Sequence, residues 1–151
     1  MSNQFKPNKT ISLFAEEKEA ISDIEEIKQA DKYNTTELSI NHSQITSIHG
    51  IQEFECLIAL DLSSNQIKNI LNSQTMNLSM LKKINLSCNY LSSLNGFENL
   101  SNVGEINVAH NKIVNIEALA ILAKKNNRNL KLLLLEDNLI DDFEQLDYLL
   151  K

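Results

Sequence analysis

Tryptophan is absent from this 151-residue chain, and proline occurs once, at Pro7. Three glycines are too few, and too scattered, to build a phosphate-cradling loop. No apolar run approaches the roughly 20 residues that a membrane-spanning helix needs. The longest, residues 118–123, falls far short, so no membrane association is expected. Positive charge is also scarce. Lys and Arg number 14 against 20 Asp and Glu, giving a formal charge of −6. Such a chain binds a phosphate backbone poorly, so direct nucleic-acid binding is not expected. Residues 1–10 are polar and lack the apolar core of a signal peptide. That reading favours a cytoplasmic location, with the nucleus open. Two cysteines, Cys56 and Cys88, are the only possible disulfide.

What is present is a repeat. Leu57, Leu60, Leu62, Asn65 and Ile67 fit the pattern L-x-x-L-x-L-x-x-N-x-L. Leu81 to Leu91, Val103 to Ile113 and Leu130 to Ile140 repeat it, with Asn89, Asn111 and Asn138 in the ninth place. Thr35 to Ile45 fits with Ser43 in that place. The ninth places are 22, 24, 22 and 27 residues apart. Leucines two apart point to one side of a short strand. Stacked repeats then share a core that none could build alone. The Asn column sits where the chain turns inward, and an amide can both donate to and accept from the turn backbone.

These residues resemble those of intracellular leucine-rich repeat proteins with short repeats of about 22 residues. The second halves, such as Ile45, Ile48, Ile51 and Phe54, carry an apolar residue every third position. In this they resemble the subclass named after a protein-phosphatase regulatory subunit. The resemblance implies an α/β fold: a curved right-handed leucine-rich repeat solenoid with about five parallel strands on its concave face. The map also sets the cysteines at opposite ends of the strand layer, roughly 20 Å apart, too far to bridge.

Stacked arrays have raw ends that need covering. Residues 1–9 read as a disordered segment, 10–34 as a helical cap, 35–140 as five repeats and 141–151 as a capping helix. Ile21, Ile24 and Ile27 predict an amphipathic helix over 15–30. Ile11, Leu13 and Phe14 either begin it or form a short extra strand. Residues 71–77 lack periodicity and read as a convex loop. Strong helix formers over 116–125 predict a true helix there.

Cys88, His110 and Asp137 fall in the eighth place of successive repeats. A nucleophile–base–acid set would need contacts of about 3 Å. The bland alternative is a row of polar turn residues, and no pocket or oxyanion donor accompanies it. His42 and His110 lie roughly 14 Å apart at about 4.8 Å per strand, too far to share a metal. Neither catalysis, nor a cofactor, nor a metal is expected.

Binding is the remaining reading. Residues between the leucines point to the concave face. The candidates there and on its rim are Glu37, Ser39, Asp61, Ser63, Lys83, Asn85, Tyr90, Glu105, Asn107, His110, Leu132 and Leu134. Leu132 and Leu134 stand where polar residues are expected. They are either covered by the C-terminal cap or an apolar contact patch. Five strands project roughly 300 Å², against about 800 Å² per partner in a stable interface, so rim loops are needed too. The expected role is a non-enzymatic adaptor or scaffold, monomeric alone, for a protein partner. Alternatives are a targeting subunit of an enzyme such as a phosphatase, a host-directed microbial effector, or a subunit of an RNA complex.

Overall fold

The computed structural model describes residues 9–15, 18–124 and 129–148, with the Asn72, Phe143, Leu146 and Tyr148 side chains outside that description. The strands stack in chain order into one parallel sheet. They are β1 (Lys9–Leu13), β2 (Thr35–Ile40), β3 (Ala59–Asp61), β4 (Lys83–Asn85), β5 (Glu105–Asn107) and β6 (Leu132–Leu134). Equivalent repeat positions pair directly: Leu38 with Leu60, then Ile84, Ile106 and Leu133. The solenoid expected from the repeat is therefore the fold observed, with six described strands where about five were expected.

The core follows the pattern residue by residue. Leu60, Leu62, Ile67 and their counterparts around β2, β4 and β5 are buried, those around β6 are partly buried, and Phe54 and Phe97 fill the space behind the sheet. Each such side chain contributes about 1.5–3 kcal/mol relative to exposure. The period of three in the second halves also has a cause. Ile51–Glu53 and Phe97–Asn99 are 3-10 turns, with three residues per turn. Gly50 opens the first of these at φ +103°, and a Cβ there would sit 2.8 Å from the Ser22 backbone nitrogen. The helix expected over 116–125 is present as Glu117–Lys124.

Two expectations change. No single helix covers 15–30; Ile21–Asp23 is a 3-10 turn and Glu25–Lys28 one turn of α-helix. The segment instead behaves as an additional, degenerate repeat. Ile11 and Leu13 pair with Leu38 and Ile40, Ala20 bridges to Ser47 behind the sheet, and Ile21, Ile24 and Ile27 enter the common core. Of the two options at Ile11 to Phe14, the extra strand is the one formed. Residues 71–77 are not a plain loop, because Asn72–Thr75 form a helical turn. The Gln74 Oε1 accepts from the Leu71 N–H at 2.8 Å, and the Thr75 hydroxyl donates to the Gly96 carbonyl. At the other end, the described part of the 141–151 segment holds a helix over Phe143–Tyr148, of the tighter 3-10 kind. The disordered segment expected at residues 1–9 lies outside the described residues except for Lys9, which is the first residue of β1.

Candidate functional site

Two devices place the side chains of the concave face. The first is the Asn column. The Asn89 Oδ1 accepts from the Ile67 N–H at 2.9 Å, and its Nδ2 donates to the Leu62, Leu86 and Ser87 carbonyls. Asn65, Asn111 and Asn138 make the same contacts one repeat away. Each Asn thus joins its own turn to the preceding one. Ser43 does the same with fewer bonds: its hydroxyl donates to the Asn41 carbonyl of its own turn and accepts from the Ala15 N–H of the preceding segment.

The second device lies on the concave face itself. The Asp61, Asn85 and Asn107 carboxylate or amide oxygens accept from the N–H two residues on, at Ser63, Ser87 and Ala109. Such Asx turns let the strand end and the chain bend inward. These three side chains, read from the sequence as binding candidates, therefore also shape the turn. An Asx-x-Ser/Ala pattern recurring in the fifth to seventh places was the available signal.

Backbone strain sits beside them. His42, Ser64, Cys88, His110 and Asp137 all have φ between 50° and 56°. The eighth place is therefore a left-handed corner, which explains its tolerance of short polar residues. His110 and Asp137 do meet, Nδ1 to Oδ2 at 2.8 Å, but both are more than half exposed. Among the described residues no hydrogen bond joins the exposed Cys88 thiol to this pair. Both cysteines are free.

The third- and fifth-place side chains line one open hollow of about 400 Å³ across the sheet. Glu37, Ser39, Asp61, Lys83, Asn85, Glu105, Asn107, Leu132 and Leu134 are all there. Lys83 pairs with Glu105 at 2.9 Å, leaving Glu37 and Asp61 as the negative end. Thr10 also lines the hollow and donates to the Glu37 carboxylate at 3.0 Å. It was missed in the sequence because β1 does not match the repeat. Leu132 is 45% exposed, so no described part of the C-terminal segment covers it.

Ser63, Tyr90 and His110 fall outside the hollow. Tyr90 lies on the flank beside Gln66 and Lys68, with the Lys112 Nζ 4.9 Å from its ring centroid. A second hollow of about 510 Å³ opens where the strands begin, beside Lys82, Lys83 and Lys131. No described helix is long and apolar enough to cross a membrane.

A family model described as "Leucine rich repeat" matches residues 57–113. No curated protein matches the chain. Among solved structures, internalin C2 of Listeria monocytogenes is 28% identical with a TM-score of 0.62, covering 76% of this chain and 57% of its own. An internalin (inlF) of the same organism is 25% identical with a TM-score of 0.60, covering 77% and 39%. A leucine-rich repeat protein of Leptospira interrogans is 24% identical with a TM-score of 0.67, covering 77% and 29%. The chain thus spans little more than half of the first of these and less of the others.

Proposed function

We propose that this chain, a leucine-rich repeat protein, is a non-enzymatic interaction module that holds a protein partner across its concave face. The observation that carries this is the hollow of about 400 Å³, whose third- and fifth-place side chains are not part of the core. Its chemistry is graded. Glu37 and Asp61 make one end negative, the Lys83–Glu105 pair sits in the middle, and Leu132 and Leu134 make the other end apolar. A protein segment offers basic, polar and apolar groups in series, which suits such a gradient. A phosphate backbone does not, given the net charge of −6.

Ala59 lies in this hollow and is neither buried nor needed by a turn. Ala59→Arg fills the hollow, and Lys83→Glu reverses the one cation among its described lining residues without touching the core. Both are expected to abolish capture of the partner from lysate; the thermal midpoint is expected to hold in Ala59→Arg and to fall slightly in Lys83→Glu, which sets a carboxylate opposite Glu105. Met76→Arg, at an exposed residue behind the sheet, is expected to leave capture intact. Capture that survives both concave changes rejects this face as the binding surface.

A further inference from the structure

The outermost strand is the most apolar strand of the sheet. β6 reads Leu132, Leu133, Leu134, between Lys131 and Leu135. Natural sheets normally blunt an edge with charge or short polar residues. The opposite edge follows that rule, since β1 carries Lys9, Thr10 and Ser12. At β6, Leu133 and Leu135 occupy the places of Ile84 and Leu86, yet they are only partly buried where those two are 3% and 0% exposed.

The backbone at this edge is unpaired in a defined pattern. Along the inner strands, the second place offers its carbonyl and the sixth its N–H to the next strand. The Lys82 carbonyl accepts from Gly104 and Glu105, and the Leu86 N–H donates to the Asn107 carbonyl. The fourth place, between them, faces the same way. In β6 these places are Lys131, Leu133 and Leu135, and among the described residues no strand lies beyond them.

We propose that a second copy of this chain docks on this edge, β6 against β6 in antiparallel order about a two-fold axis. Leu133 then exchanges both backbone bonds with the partner's Leu133, and each Leu135 N–H reaches the partner's Lys131 carbonyl. The register is restricted, because the Leu135 carbonyl already accepts from the Asn138 side chain at 3.0 Å. On the concave face Leu132 lies opposite the partner's Leu134, and behind the sheet the two half-covered Leu133 side chains bury each other. Charge agrees. The edge begins at Lys131 and ends at Glu136 and Asp137, so antiparallel order brings unlike ends together and parallel order brings like ends together. The two concave faces become one twelve-stranded surface. This departs from the monomer expected of the sequence.

Sedimentation equilibrium of the 151-residue chain is the test. The mass is expected to rise with concentration from 17.1 kDa to twice that value and stop. Leu132→Lys and Leu134→Glu alter exposed or half-exposed side chains, so both are expected to fold. Each alone sets a charge against a leucine twice and is expected to weaken the dimer by about tenfold or more. Mixed, they place Lys opposite Glu and Leu opposite Leu, and association is expected to return. A mass fixed at 17.1 kDa up to millimolar concentration, growth past the dimer, or indifference to both variants overturns the proposal. None of these readouts depends on the partner of the concave face.

Discussion

Asn89 is 5% exposed and serves four backbone groups, three carbonyls and one N–H. Asn89→Ala leaves all four without that partner in a site closed to solvent. Each buried unsatisfied group costs about 1–3 kcal/mol, so even with partial relaxation a loss of about 3 kcal/mol is expected. Chemical denaturation checks it; a loss below about 1 kcal/mol would mean that water replaces the amide. At Tyr90, one place along, the side chain is exposed and its ring meets the Lys112 ammonium. Residue roles here change completely within a single step of the chain. The register of Asn was legible in the sequence because all four share one offset. The left-handed corner beside it was not, since Ser64, Cys88, His110 and Asp137 share a backbone angle and no chemistry.

At the scale of elements, the strands of the five repeats were legible and the N-terminal segment was not. Leu60 and Leu62 belong to a pattern repeated four times, whereas Ile11 and Leu13 pair only because β2 offers them an edge. Helical spacing of Ile21, Ile24 and Ile27 suggested one helix, but spacings of three also suit 3-10 turns. The turn that leads into β2 is held by Asp31, whose carboxylate accepts from the Asn34 side-chain amide at 2.7 Å and from the Asn34 N–H at 3.2 Å. The amide, chiefly, holds the Asp31 carboxyl below its ordinary value; the Asn34 N–H and nearby Lys9 act the same way. A depressed folded-state value means stability that is complete above the unfolded value of 3.8 and lost as pH falls through the folded one. Asp31→Asn is therefore expected to lower the thermal midpoint at neutral pH, with the gap to wild type closing in acid. A gap that persists unchanged at the lowest pH would assign the effect to packing instead of charge. Glu25, lowered by Gln29 and then Lys28, keeps a residual acid response in that variant.

For the molecule as a whole, the architecture was written in the repeat, while the surface was only half written. The third- and fifth-place side chains line the concave hollow, because alternation in a strand is a matter of geometry. What binds there depends on exposed polar side chains, and Asp61, Asn85 and Asn107 are partly occupied with turns. The comparisons establish the fold and stop at it, covering 57%, 39% and 29% of the longer chains they match.

The Asn column also has a mechanical meaning. Its bonds reach back 20 to 30 residues and never further, so each repeat is fastened only to its neighbours. A chain pulled by its ends is then expected to peel one repeat at a time instead of shearing as a block. Each rung frees 22 to 27 residues, or roughly 75–95 Å of contour. Optical-tweezer traces should show a ladder of extensions of that size; a single rip of the full length would show that the repeats yield together.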